Sequence, residues 1–401
     1  MENFFTETIQ VKKMGSYDVI VAGGGIAGVS AALAAARKGR SVLLVEKMIS
    51  LGGLATNGLI TNYNHSLCDR KGRRAVGGIS EELLYAAIKY GAHTLPPEWS
   101  YRKDRVESGS IYQAAFNAAS FMAALDEVTD EAGIDILFDT VCCNVAMSGS
   151  ECKGVTMENK EGRVYYDCKQ LIDTTGDLDL FKRAGAPCAD DLNWLSFVIM
   201  NTNLDILREC CEKEDIGSLI VRTKLGTDRD GLRNPPGVRR YTIESGEEVT
   251  KFIKRGRKYL LDYLKKMDTK REMVLLFPSQ AQYRTTRHLR SAYILDSKDK
   301  DVHREDSIGC AYTYREDGFF LEIPYNTLVV SGYSNMITAG RSIGADGIAR
   351  EITRLIAPGA VTGEAAGTAA SMAIGLGCDI NDVPVPELQK ELVAAGCIMH
   401  A

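Results

Sequence analysis

The chain has 401 residues, 45% hydrophobic and 25% charged, enough for a large core and two domains. Its 48 basic and 53 acidic residues leave a net charge of −5 with no basic block, which argues against a nucleic-acid partner. No apolar run reaches the roughly 18 residues of a membrane span, and Met1 to Gly15 lacks a signal-peptide core, so a cytoplasmic protein is expected.

The 11 cysteines include the adjacent pairs Cys142/Cys143 and Cys210/Cys211 but no C-x-x-C. That spacing argues against a metal site or an iron–sulfur cluster and for free, buried thiols.

Tyr17-Asp-Val-Ile-Val-Ala22 is a short β-branched run that leads directly into Gly23-Gly24-Gly25-Ile26-Ala27-Gly28, a G-x-G-x-x-G. Gly23 permits a tight turn, Gly25 lets backbone approach a pyrophosphate, and Gly28 lets the next helix lie close to a sheet. Phosphate charge then meets free N–H groups at the helix N-terminus. Gly28, Ala31, Ala32 and Ala35 form a small-residue helix face, and Gly39 ends that helix. Ser41 to Val45 is the second strand, and Glu46 at its end is placed to accept hydrogen bonds from a ribose diol. The unit from Tyr17 to about Gly53 therefore binds the ADP half of a dinucleotide.

Leu51-Gly-Gly-Leu-Ala-Thr-Asn-Gly58 follows where a plain NAD-binding fold would continue into another βα unit. The loop Thr61-Asn-Tyr-Asn-His65 comes next. Residues 134–169 alternate like a β-meander, and Gln170 to Asp177 is a strand ending in a Thr-Gly turn. The stretch 191–330 lacks such turns and is richer in charge. Within it, Lys251 to Leu264 is an amphipathic helix with a solvated basic face, and Asn234-Pro-Pro-Gly237 is a loop. Arg284, Arg287 and His288 fall within about one turn if their segment is helical, so two arginines could hold a carboxylate while a histidine moves a proton. Asn335 to Arg341 is a third strand-to-glycine turn. The helix from Pro358 to Ala370 has Gly363, Ala366, Gly367 and Ala370 on one face, and its positive N-terminus suits a group that gains negative charge.

The segments Gly52 to Gly58, Asp173 to Asp177, Asp317 to Tyr325 and Asn335 to Ala370 resemble the FAD-dependent oxidoreductases built on the glutathione-reductase type of fold. The resemblance implies an α/β protein: a Rossmann-like FAD-binding domain in two parts, 15–190 and 331–401, with an inserted α+β substrate or cap domain over 191–330. It implies FAD contacts from Gly23, Gly25, Ile26, Ala27, Gly28, Glu46 and Lys47. Further contacts fall to Gly52, Gly53, Leu54, Thr175, Gly176, Gly340, Arg341, Ala366 and Gly367. Related flavoproteins usually carry aspartate at the position of Arg341, so the arginine here points to a phosphate rather than the ribityl chain.

The activity so implied is hydride transfer between a small-molecule substrate and flavin N5, with an electron donor or acceptor left open. The catalytic candidates are His65, which follows the flavin-side glycines, and Arg284, Arg287 and His288, with Tyr63 and Tyr325 as partners. A flavin monooxygenase and a dinucleotide-binding sensor or assembly subunit are the competing readings. No metal is expected, and a homo-oligomer is compatible with the sequence.

Overall fold

The computed structural model describes residues 6–63, 74–93, 114–227, 237–313 and 318–400. His65, Asp317 and most of the Asn234 to Gly237 loop lie outside these residues.

Strand β1 (Lys12–Ala22) runs into the glycine turn, helix α1 (Ile26–Arg37) follows, and β2 (Val42–Val45) returns parallel to β1. β1 begins five residues before Tyr17, because its first part pairs with β8 (Gly162–Asp173) and not with β2. β5 (Asp135–Leu137) adds to the free edge of β2, and β16 (Met336–Thr338) pairs with the last three residues of β8. The parallel order is β5-β2-β1-β8-β16. The first half of β8 instead pairs with β7 (Glu151–Asn159), which pairs with β6 (Val141–Ser148). The expected meander is therefore β6-β7-β8, while β5 belongs to the parallel layer. Parallel strands are buried on both faces, which explains the unbroken apolar runs Val19 to Ala22 and Val42 to Val45.

Helix α8 (Ile356–Leu376) packs along α1. A Cβ at Gly363 would lie 2.2 Å from the Ala27 carbonyl oxygen, and one at Gly367 would lie 2.1 Å from that of Ala31. The small face of α8 thus meets α1, and Ala366 is fully buried in the same core. That is a correction: the packing of two helices, and not FAD contact, explains Ala366 and Gly367. Helices α2 (Ile79–Lys89), α3 (Ala118–Glu131) and α9 (Val385–Ala394) complete this layer, with the short pair β3 (Asn62–Tyr63) and β4 (Ala114–Ala115) beside it. Tyr63 and Tyr325 are buried there, their hydroxyls donating to the carbonyls of Ser80 and Ile380. Both are core residues, not proton-transfer partners. Helix α4 (Asp179–Arg183) follows β8, its first amides accepted by the Asp173 carboxylate.

Beyond the short pair of β9 (Cys188–Asp190) with β13 (Arg287–Leu289) lies a separate layer. β10 (Phe197–Asn203) is flanked by β11 (Val221–Leu225) and β12 (Glu272–Leu276), with α5 (Leu204–Lys213) and α6 (Gly246–Leu264) beside the sheet. Phe197 and Ile199 pack under Leu260 of α6, and Gly256 lets the Phe197 ring approach the helix. The basic face of α6 is solvated, with Lys251 paired to Glu247 and Glu248. The hairpin β14 (Ser307–Tyr312) and β15 (Phe320–Pro324) packs on α8, with Ile308, Leu321 and Ile323 in the main core. The short helix α7 (Gly347–Thr353) precedes α8. Ten cysteines among the described residues are free thiols.

Candidate active site

A cleft of about 1010 Å³, open to solvent, lies at the carboxyl ends of β1, β2, β8 and β16. In open α/β sheets this end is where ligands bind. Gly23 (φ +107°) turns the chain out of β1, and the Thr174 hydroxyl donates to the carbonyls of Ala22 and Gly23. A Cβ on Gly28 would sit 1.8 Å from the Gly23 carbonyl oxygen, so only glycine lets α1 start so close to the turn. Gly25 differs: a Cβ there would meet no protein atom, because that side faces the cleft.

The second glycine pair is laid against the first. Gly52 donates to the Gly24 carbonyl, and a Cβ on Gly53 would lie 3.1 Å from Gly25 Cα. Gly52 (φ +96°) and Gly53 (φ +55°) both hold left-handed backbone in doing so. At the end of β2, Glu46 accepts the Gly24 amide at 2.7 Å and the Met48 amide at 2.8 Å, while still lining the cleft. Neither α1 nor α8 has a side-chain cap at its N-terminus, and Leu355, Ile356 and Gly359 bring the start of α8 to the same cleft. Two helix N-termini without side-chain caps thus face one cavity, an arrangement suited to anionic groups.

Of the expected cofactor residues, Gly23, Gly25, Ile26, Ala27, Glu46, Lys47, Gly52, Gly53, Leu54, Thr175, Gly176, Gly340 and Arg341 line this cleft. Gly28 acts from behind it. Arg341 is held by protein groups: its Nε donates to the Gly176 carbonyl at 2.7 Å and its Nη2 to Asp177 at 2.8 Å. Burial raises the Asp177 carboxyl, but the Arg341 guanidinium overrides it and holds the group below the usual carboxylate range. Gln280 has no counterpart in the sequence reading. Its side-chain oxygen is buried without a partner, 3.9 Å from where a Gly53 Cβ would be. Only the fold brings it to Gly53.

The segment carrying Arg284, Arg287 and His288 is extended, which corrects the helical expectation. β13 pairs Arg287 with Asp190 and His288 with Ala189 across nearly a hundred residues. Adjacent residues on a strand point to opposite faces, so the arginine and the histidine are separated. Arg287 bonds Asp190 at 2.9 Å and the Asp177 carbonyl at 3.0 Å, a structural ion pair and not a substrate clamp. His288 is buried, its Nδ1 against Arg350 and its Nε2 3.5 Å from Asp346, and burial pushes its pKa below the usual imidazole value. A histidine so enclosed is a poor proton shuttle. Arg284 stacks over Trp194, 4.0 Å from the ring centre.

One face of the β10 sheet turns toward Gly58 and Leu59. Met200 packs with Leu59, close in sequence to Gly53, and the Gln282 side chain bridges the Gly58 carbonyl to the backbone of Val198. Residues paired in antiparallel strands share a face. Met200 pairs with Arg222 and Val198 with Lys224, so both cations lie on the Met200 side. Lys224 is depressed below its usual pKa by desolvation, then by the charges of Arg284, Arg222 and Arg354. Arg354, paired with Glu351, itself lines the cleft, so the other three cations lie within electrostatic reach of a residue of its wall. Neither Arg222 nor Lys224 has an acidic partner among the described residues.

Residues 18–194 and 220–392 match the family model described as FAD dependent oxidoreductase. The chain belongs to the FAD-dependent oxidoreductases. Its cofactor is FAD, and the features already described fit it: an open cradle at Gly25, two uncapped helix termini, Glu46 and an unpartnered buried amide oxygen on Gln280.

This FAD-dependent oxidoreductase is 29% identical over 192 residues to the NADH:fumarate oxidoreductase of Klebsiella pneumoniae (strain 342), a match over 40% of this chain and 20% of that one. It thus spans about a fifth of the length of that relative. Among solved structures, BexE, studied for oxidation during BE-7585A biosynthesis, superposes with a TM-score of 0.50 at 15% identity. That likeness covers 95% of this oxidoreductase and 67% of BexE. The p-nitrophenol 4-monooxygenase of Pseudomonas putida DLL-E4 is similar at a TM-score of 0.48 and 12% identity, over 95% and 88%. At 15% identity the likeness to BexE is one of fold. Among the described residues, no helix of this FAD-dependent oxidoreductase is long and apolar enough to cross a membrane.

Proposed function

We propose that this oxidoreductase moves a hydride between FAD and a small anionic organic substrate held under the β10–β11 sheet. Bound FAD supplies the two-electron chemistry. The chain's own residues supply position and charge. Of the expected cap, 191–330, residues 191 to about 285 act as the cap, since the β14–β15 hairpin packs in the main core; they close the cleft through Met200 on Leu59 and Gln282 on Gly58. Arg222, Lys224, Arg284 and Arg354 receive the carboxylate of the substrate, where guanidinium and ammonium donors are far stronger than in water. The uncapped start of α8 stabilises negative charge at the reacting end.

Arg222 and Lys224, which lack an acidic partner among the described residues and lie within electrostatic reach of Arg284 and of Arg354, itself paired with Glu351, carry this reading. Such an excess of like charge is costly in an isolated protein and is relieved by an anion. The name of the Klebsiella relative supports the substrate class, since fumarate is a dicarboxylate.

The experiment is an anaerobic screen of the FAD-loaded protein. The oxidised flavin is tested for bleaching, and the reduced flavin for reoxidation, against matched sets of carboxylates, neutral amides and amines. Carboxylates alone should change the flavin spectrum. Turnover of neutral or cationic compounds with equal efficiency would remove the anionic site, and oxygen-dependent hydroxylation of a substrate would replace hydride transfer by monooxygenation.

A further inference from the structure

A second cluster lies apart from the cleft, where three segments distant in sequence meet. His303 precedes β14, Glu322 lies on β15 and His400 follows α9. One ligand atom from each lies within 4.8 Å of the other two. Glu322 is only 2% exposed, and the single oxygen Oε2 faces His400 Nδ1 at 2.9 Å and His303 Nδ1 at 3.4 Å. The same oxygen accepts the Arg304 amide at 2.7 Å.

Hydrogen bonding alone accounts for this poorly. A carboxylate oxygen has about two lone-pair positions, and three nitrogens converge on this one. Both imidazoles would also have to carry their proton on Nδ1, with ring centres 4.5 Å apart. A divalent cation reverses the requirement: each Nδ1 then offers a lone pair, and the carboxylate is shared with a metal and not divided among three donors.

We infer that His303, Glu322 and His400 form a binding site for a divalent transition metal of the zinc class. Zinc bonds of about 2.0–2.1 Å in a tetrahedron separate ligand atoms by about 3.4 Å. The two separations from Glu322, 2.9 and 3.4 Å, are close to that, so small turns of two partly exposed rings complete the set. Two imidazoles and one carboxylate select this class over magnesium and calcium, which take oxygen ligands.

The surroundings are prepared for it. The Arg304 amide fixes the carboxylate, as partners outside a metal's ligands commonly do. The Ser307 hydroxyl and the Cys310 thiol both donate to the Met399 carbonyl, which fixes the backbone beside His400. None of the three ligands lines the FAD cleft. The metal therefore clips the segment after α9 to the β14–β15 hairpin, independently of the redox site.

The test uses the full FAD-loaded chain, stripped with a chelator, dialysed and titrated with zinc chloride by calorimetry, with metal content measured afterwards. One zinc per chain should bind and raise Tm. His303→Ala and His400→Ala should each weaken binding at least about tenfold, and the double variant should lose both the bound zinc and the Tm rise while keeping its FAD. Both side chains are partly exposed, so these variants fold. Glu322→Gln keeps an acceptor for Arg304 and should weaken zinc to the same degree. Absence of zinc binding by the wild type would overturn the site. Equal stoichiometry and affinity in the double variant would also overturn it and assign the metal to thiols such as the exposed Cys211.

Discussion

The Glu46 carboxylate accepts the Gly24 amide at 2.7 Å, tying the end of β2 to the glycine turn in front of α1. The residue expected to hold the ribose is thus also a clamp on the phosphate-binding turn, and a substitution touches both roles. Glu46→Ala should lower Tm, because the buried Gly24 amide loses its acceptor at roughly 1–3 kcal/mol and the part-buried Met48 amide loses a weaker bond, and should release FAD. Glu46→Gln keeps one acceptor and the shape, so its fall in Tm should be smaller while FAD affinity still drops about tenfold. Fluorescence titration of FAD reads the second quantity. An unchanged Kd in the glutamine variant would end the ribose assignment.

Gly25 and Gly28 sit three residues apart and should respond oppositely to alanine. Gly25 has ordinary backbone angles and an open side toward the cleft, so Gly25→Ala should fold with a Tm near wild type but bind FAD poorly. Gly28→Ala forces a methyl against the Gly23 carbonyl and should destabilise the apoprotein by at least about 2–3 kcal/mol. Thermal melts and FAD titrations on both variants separate the two effects.

Arg341 and Asp177 form a half-buried pair, so removing one charge leaves the other stranded. Arg341→Met should cost about 3 kcal/mol of stability, most of which Arg341→Met/Asp177→Asn recovers. If arginine also binds phosphate, the double variant regains its Tm in denaturation experiments but not its FAD affinity.

On the cap, Lys224→Met and Arg222→Met should raise KM for a carboxylate substrate about tenfold each, with the flavin still bound. Steady-state kinetics at several salt concentrations provide the check, since a charge-held substrate also weakens as salt rises. A KM unchanged in both variants would separate these cations from the substrate.

Glu364 of α8 is buried, and its carboxyl accepts the Ile79 amide at 2.8 Å. Burial pushes its pKa up to about 7, against a usual 4.5, with the Ile79 amide opposing the rise. The folded state therefore holds a proton that the unfolded state has released between those values. Stability from this group is complete below about 4.5 and lost as pH rises through about 7, a loss on the order of 3 kcal/mol. Glu364→Gln should melt higher than wild type at pH 8 and show little gain at pH 5. Equal gains at both pH values would mean the carboxyl is ionised in the fold throughout.

The βαβ unit was legible because its signals are local. A β-branched run, glycines demanded by φ and close approach, a small-faced helix and a terminal carboxylate lie within about thirty residues. The turns near Thr175 and Gly340 were legible for the same reason. Arg287 and His288 were misread because short charged runs carry no clear period, and the pairing with β9 that makes them a strand comes from far along the chain. The glycines of α8 were legible as a close approach, but not what approaches: the structure puts α1 there.

From the sequence alone came the nucleotide-binding turn and FAD, since hydrogen bonding, glycine φ angles and the end of a strand act over a few residues. Glu46 belongs to that part, although its second bond, to Gly24, needed the folded turn. Only tertiary structure decided which cations gather within reach of Arg354 at the cleft. Arg222 and Lys224 read as an ordinary charged strand until β10 pairs with them, because the face a strand presents is set by its neighbour and not by its own residues.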